Sequence, residues 1–340
     1  MIDNIKIQNY KSISECDLDF LHLTILTGKN SSGKSSILQA ILASIIHCGL
    51  SGRMVVDEYA YSRIQNLIAF NNIRNKKLNS DKVNIYIDNN LYCIERDKFG
   101  LYPSSFMWEE NFYYLPANRE SIKSIDYYQK DIKFGLYGEF VSSYFEGNKD
   151  KVINLYGDNE IQTMKYNLGF WVERILDIKF SLITNKLDTM HVISKFMQDD
   201  IGYEFEIANV STGLIFLTKI LVIGLSLKRG DIFVVENPEI HLHPKAISRL
   251  VEFFAFLVKN GIQVILETHS DTLINKTRYL VYKKELNADS VVIYYKDNID
   301  SGFEQVLIND GGYFANKNGE KRAFPQGFLD VGLAELMEIR

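Results

Sequence analysis

Gly28-Lys29-Asn30-Ser31-Ser32-Gly33-Lys34-Ser35-Ser36 is the stretch on which the reading of this chain turns. It fills every fixed position of the phosphate-binding pattern G-x-x-x-x-G-K-[ST]. The apolar run Leu21-His22-Leu23-Thr24-Ile25-Leu26 leads into it, and the helical pattern Ile37-Leu38-Gln39-Ala40-Ile41-Leu42 leads out, so the context reads strand, loop, helix. In that setting glycines let backbone N–H groups curl around phosphates, and the helix N-terminus adds the positive end of its dipole. Asn30, Ser31, Ser32, Gly33 and Ser36 are expected to line the cradle, Lys34 to reach the β- and γ-phosphates, and the Ser35 hydroxyl to hold Mg²⁺. The expected ligand is a nucleotide.

The 340 residues, 46% apolar and 24% charged, suit a globular chain of about two domains, or one α/β domain with an insertion. A net charge of −5 argues against a uniformly basic nucleic-acid binder but leaves room for a local basic groove, of which Arg74, Lys76, Lys77 and Lys82 form the densest stretch. Cys16, Cys48 and Cys93 are too widely spaced for a Cys-x-x-Cys metal site or a dense disulfide framework, which fits a reducing cytoplasm. The start Met1-Ile2-Asp3-Asn4-Ile5-Lys6 lacks the pattern of a signal peptide, and no apolar run approaches the roughly 20 residues that cross a membrane. A soluble cytoplasmic protein without a membrane partner is expected.

Alternation over residues 1–9 and the run 18–26 predict two early strands that deliver the chain to the loop. A hairpin is expected from Val83 to Ile94 around Asp88-Asn89-Asn90, as part of a β-rich flap, and a core strand over Phe112-Tyr113-Tyr114-Leu115. From 120 to 200 the periodicity reads as a helical insertion, with aromatics such as Phe134, Phe140, Tyr144 and Phe145 packed inside. Between 201 and 295 strands and helices alternate, and the continuous apolar runs Ile232–Val235 and Val264–Leu266 indicate parallel strands buried on both faces. The expected class is α/β, with a parallel or mixed sheet, flanking helices, a β-rich flap and a helical insertion.

A phosphate loop alone does not tell a kinase from a GTPase or an ATPase. The second half of the chain adds Ile232-Phe233-Val234-Val235-Glu236, an apolar strand ending in a carboxylate. Such an acid sits beside Mg²⁺ and the attacking water, so Glu236 is read as a metal ligand. Asn237-Pro238-Glu239-Ile240-His241-Leu242-His243-Pro244 then turns the chain. A further strand ends at Glu267-Thr268-His269, placing His269 at a strand C-terminus, where ligands collect in open α/β sheets. His241 and His243 could in principle ligate zinc, but with no cysteine nearby and Pro244 following they read as a loop-to-helix turn.

In this order the motifs resemble the head domain of the ATP-binding-cassette (ABC) ATPases of the RecF, SMC and OLD type. The opening Ile5-Lys6-Ile7-Gln8-Asn9-Tyr10-Lys11-Ser12 is similar to that family's first strand and basic turn, Gly28 to Ser35 to its Walker A loop, and Val210-Ser211-Thr212-Gly213 to its signature motif. Val235 to Pro238 stands at Walker B, and His269 matches the switch histidine. Tyr114 to Arg119 and the tail Phe324 to Asp330 resemble segments of stand-alone ATPases of the group, such as the subunits of bacterial anti-phage systems that work with a separately encoded nuclease or toxin.

The resemblance implies a P-loop NTPase of ABC-ATPase head type with halves 1–119 and 201–340 around the insertion 120–200. It implies ATP and Mg²⁺ as cofactors and a homodimer clamping two ATP molecules. Lys11, Ser12 and the Walker A residues would hold each nucleotide from one subunit, with Ser211, Thr212 and Gly213 from the other. An effector protein, and in some relatives DNA, would read the state of the clamp, in phage defence or DNA repair. The chain departs from the family at one point that matters. The usual Asp-Glu-Pro is Glu236-Asn237-Pro238, and an amide cannot take a proton from water. Slow hydrolysis is expected, with Glu239 and His269 as substitute bases beside Glu236 and Asn237. The alternatives are an ATP-locked scaffold without turnover and an OLD-like nuclease, for which residues 288–340 look too short.

Overall fold

The computed structural model describes residues 1–48, 54–95, 98–99, 105–153 and 162–325. The chain forms two compact units, one of Met1–Gly49, Ile64–Ser105 and Gln263–Arg340, the other of Leu50–Arg63 and Phe106–Ile262. Both run across the boundaries drawn from the motifs, since the second holds the insertion together with the signature and Walker B segments.

In the first unit Leu23–Gly28 is buried at all six positions because parallel strands flank it, Gln263–Glu267 on one side and Val291–Lys296 on the other. Both neighbours are themselves buried throughout, as their unbroken apolar runs require. Glu304–Ile308 and Phe314–Ala315 extend this sheet antiparallel. A second, antiparallel sheet runs in the order Ile13–Asp19, Asn4–Tyr10, Lys82–Ile87, Asn90–Glu95 and Lys98–Phe99. Its alternation is legible: Ile5 and Ile7 are buried between half-buried polar neighbours. The helix Lys34–Cys48 inserts Ile37, Leu38, Ile41 and Ile45 between the sheets, packing on strands of both.

The expected single run over 18–26 is two strands. The Thr24 hydroxyl accepts from the Leu21 N–H at 3.0 Å, and this local turn ends one strand at Asp19 and starts the next at Leu23.

In the second unit Phe112–Leu115 and Ile232–Glu236 pair in parallel, buried throughout. The helix Thr212–Ser226 is apolar nearly all round and correspondingly enclosed, whereas Pro244–Lys259 buries one broad face that includes Leu250, Val251, Phe253, Phe254 and Leu257. Met164–Leu176 packs on both helices. The segment 120–200 is not simply helical. Besides the helices Val141–Asn148 and Met164–Leu176 it contains the strands Ile125–Tyr127, Phe180–Lys186 and His191–Gln198. Val192, Ser194 and Phe196 are buried and the residues between them are not, a period of two, and Asp188 closes the hairpin by accepting from the Met190 and His191 N–H groups. Of the aromatics expected inside, Phe134 and Phe145 are core residues, whereas Phe140 and Tyr144 are half-buried.

The helix Thr212–Ser226 carries a lysine into this core. Lys219 is fully buried, and its ammonium donates to the Gly138 carbonyl at 2.6 Å. Burial lowers its pKa from 10.5 to about 8, opposed by the charges of Asp126, Glu139 and Glu120, while Arg119 acts in the same direction as burial. Between those two values the folded chain binds fewer protons at Lys219 than the unfolded chain, so this residue's contribution to stability rises with pH through that window. The stability of the wild type relative to Lys219→Met, from urea denaturation, therefore increases between about pH 7 and about pH 10. A difference that does not change with pH contradicts this.

Candidate nucleotide-binding site

Two groups of site residues are described, one in each unit. In the first, the loop leaves its strand at Gly28 with φ +133°, where a Cβ would lie 2.0 Å from the Lys296 carbonyl oxygen, so only glycine fits. The Lys29 N–H donates to that same carbonyl at 3.1 Å, and the Lys29 ammonium pairs with Asp297 at 2.7 Å. The end of the neighbouring strand is thus one wall of the loop. Gly33, at φ +106°, is the other close approach, its missing side chain replaced by the Ser12 hydroxyl. That places Ser12 against the loop, and Lys11, at φ +50°, reaches Gln39 of the following helix at 2.5 Å.

Lys34 is buried at 3% exposure, and its ammonium folds back onto the loop, donating to the carbonyls of Gly28 at 3.1 Å and Lys29 at 2.6 Å. Burial lowers its pKa and the charge of Glu267 opposes that shift. The Ser35 hydroxyl donates to Glu267 Oε1 at 2.8 Å. His269 is half-buried beside the loop. Burial pulls its pKa below the usual histidine range, Lys34 acts in the same direction, and a hydrogen bond to the Gly28 backbone opposes both. Asn30 and Ser31 are exposed, Ser32 is buried, and Ser36 donates its N–H to the Gly33 carbonyl at 3.2 Å.

In the second unit the strand Ile232–Glu236 ends at a carboxylate that accepts from the Tyr114 hydroxyl and, at 3.0 Å, from the Ala117 N–H. The turn that follows puts Asn237 at φ +43° and His241 at φ +62°. The Asn237 Oδ1 is buried without a hydrogen-bond partner among the described residues. The turn is held from beneath by Arg119, which donates to the carbonyls of Pro116 at 3.3 Å, Glu236 at 3.0 Å and Asn237 at 3.0 Å, its guanidinium lying over the Phe216 ring. Burial brings the Arg119 pKa down to about 10 against the charges of Glu239 and Glu236. From the sequence Arg119 reads either as a surface arginine or as a group near phosphate or nucleic acid, and it is instead a buried brace.

Ser211 caps the signature helix by accepting from the Leu214 N–H at 3.3 Å, while Thr212 begins it and Gly213 lies against the His241 carbonyl. His243 caps the next helix through Nδ1. A cavity of about 370 Å³ opens between these two helix starts, lined by Ser211, Gly213, His241, His243, Lys245 and Asp177. Asp177 is paired with Lys245 and Arg249.

The first group thus unites Lys11, Ser12, the loop and His269, the second Glu236, Asn237, Glu239 and the signature residues. Sequence reasoning missed Glu267, Tyr114 and the Lys296 carbonyl. Glu267 had a signal, since Gln263-Val264-Ile265-Leu266-Glu267 is as much an apolar strand ending in an acid as Ile232–Glu236. The basic stretch is partly neutralised, Lys77 by Asp300 and Lys82 by Glu95. Residues 326–330 of the tail that resembles the family lie outside the described residues.

A family model described as "AAA domain, putative AbiEii toxin, Type IV TA system" matches residues 97–275, and one described as "AAA ATPase domain" matches residues 1–167. No curated protein matches the chain. Among solved structures, an SMC head bound to the C-winged helix domain of ScpA is 14% identical over 91% of this chain and 98% of its own, with a TM-score of 0.57. An SMC head with an extended coiled coil, bound to the C-terminal domain of ScpA derived from Pyrococcus furiosus, is 12% identical over 100% of this chain and 99% of its own, with a TM-score of 0.56. At such identities the likeness is one of fold, and the fold is that of an SMC head domain.

Arg119→Ala removes three hydrogen bonds, two to carbonyls of the turn at Glu236 and one to the Pro116 carbonyl, and takes the donor from those oxygens. Chemical denaturation should show a loss of at least about 2 kcal/mol, and a loss below about 0.5 kcal/mol contradicts its role as a brace.

Proposed function

Because the chain belongs to the AAA-domain family whose AbiEii-type model spans residues 97–275, we propose that it is an ATP-driven switch. In this reading it binds Mg²⁺·ATP in the Walker A loop, dimerises around two such nucleotides, and hydrolyses them slowly. The observation that carries the reading is Lys34, a buried cation whose nearest partners are carbonyls of the loop it belongs to. A phosphate entering the loop offers that ammonium a charged acceptor in place of neutral ones, and charge-assisted hydrogen bonds are roughly twice as strong. The loop N–H groups and the start of helix Lys34–Cys48 would receive the same anion.

The donors fit Mg²⁺, which takes hard oxygen ligands, keeps several waters, and relies on one or two protein groups with substrate phosphates. Ser35 supplies a hydroxyl, and the sequence assigns a carboxylate to Glu236. When bound, the metal would neutralise charge developing on the phosphates. Glu236 would first have to exchange its contact with Tyr114 or Ala117. Ser211 and Gly213, on the cavity between two helix starts, would receive the γ-phosphate of a second copy.

Asn237 sets the rate. Its amide can orient a water but not deprotonate it, and general base catalysis is worth about 10²–10⁴-fold. Glu239 and His269, whose burial disfavours the charged imidazolium, are the remaining candidates. Slow hydrolysis suits a timer that holds the clamped dimer while a separately encoded effector, a nuclease or toxin, or DNA reads it. Phage defence and DNA repair both use such heads. Asn237 also favours a second reading, an ATP-locked scaffold without turnover.

Lys34→Ala should abolish ATP binding in equilibrium dialysis, and unchanged affinity contradicts the reading. Wild-type phosphate release should be measurable but below about 10 s⁻¹, the enzyme median. Asn237→Glu should raise it by at least about tenfold. No release at all leaves the scaffold, and release above that median removes the slow timer. In sedimentation experiments Mg²⁺·ATP, but not ADP, should give a dimer, and Ser211→Arg should block the dimer without weakening ATP binding. A monomer in saturating ATP contradicts the shared site.

A further inference from the structure

We propose that Glu267 is the carboxylate that positions the Ser35 hydroxyl for Mg²⁺, a role distinct from the metal ligation expected of Glu236. This rests on the nucleotide reading of the Walker A loop. Ser35 donates to Glu267 Oε1 at 2.8 Å, and Glu267 is only 3% exposed. The carboxylate is the last residue of the strand Gln263–Glu267, which runs parallel to the strand leading into the loop with Glu267 opposite Leu26. Just beyond it the Thr27 hydroxyl donates to the Thr268 carbonyl at 2.9 Å, and the Thr268 N–H to the Leu26 carbonyl at 3.0 Å. Pairing with that strand, before and beyond Glu267, therefore fixes the carboxylate against the loop.

The chemistry follows from the direction of that hydrogen bond. A serine hydroxyl that gives its proton to a carboxylate keeps its lone pairs for a cation, and the nearby negative charge strengthens it as a ligand. Ser35 stays protonated throughout, so no proton leaves the pair. The same charge acts on Lys34, the next residue back. Glu236 is differently placed, because both its oxygens already accept hydrogen bonds, from Tyr114 and Ala117. Glu267 is thus a positioning residue acting through Ser35, and the end of the strand Gln263–Glu267 supplies both it and His269, two residues further along the chain.

The test separates metal-dependent from metal-free nucleotide binding. Equilibrium affinity for ATP is measured with Mg²⁺ and with EDTA, for the wild type and for Glu267→Gln, which keeps an acceptor for Ser35 but not the charge. The wild type should bind more tightly with Mg²⁺, and the variant should lose about 10–100-fold of that advantage, as loss of a group orienting a metal ligand typically does. Its affinity in EDTA should stay within about threefold of wild type. A variant that keeps the full Mg²⁺ advantage overturns the proposal and leaves the nucleotide reading standing. A wild type that binds ATP in neither buffer overturns both. Should Glu267→Gln bind no ATP even in EDTA, Glu267→Asp decides: a retained Mg²⁺ advantage supports the charge assignment, and its absence overturns it.

Discussion

A lysine ammonium buried against the carbonyls of its own loop is the constraint around which the first unit is arranged. Lys34 can be 3% exposed only because Gly28 and Lys29 present their oxygens to it, and they do so because the loop curls tightly at Gly28 and Gly33. The curl in turn needs a neighbour with no room for a side chain, which the Lys296 carbonyl is. Desolvating a charge is costly, and neutral carbonyls offset that cost less well than an anion would. The loop is therefore poised for a phosphate, and the parallel strands on either side of Leu23–Gly28 hold it in that state.

The second unit solves a similar problem at the turn after Ile232–Glu236. Asn237 and His241 adopt left-handed backbone conformations, and at the start of the turn the carbonyls of Glu236 and Asn237 need a donor. Arg119 supplies it, three residues past the proline that ends the strand Phe112–Leu115. The Oδ1 of Asn237 is buried in this turn without a hydrogen-bond partner among the described residues.

Much of this was legible because the decisive residues sit at strand ends, where an apolar run stops at a polar group. Glu236 and His269 are read from that pattern and Gly28 from the spacing of the phosphate loop, and the same strand-end pattern contains Glu267. The hairpin 180–198 was missed for a different reason. Its inward positions are Leu182, Thr184, Val192, Ser194 and Phe196, so small polar residues break the apolar alternation and the helical period of the flanking segments prevails. Arg119 could not be assigned at all from sequence, since its partners are backbone carbonyls, which carry no residue identity.

The structure of the chain with Mg²⁺ and a non-hydrolysable ATP analogue tests the central claim most directly. The account predicts phosphates inside the loop Gly28–Ser35, with the Lys34 ammonium drawn off the Gly28 and Lys29 carbonyls onto them and the Ser35 oxygen on the metal. An analogue bound elsewhere, with Lys34 still folded onto its own loop, would contradict it.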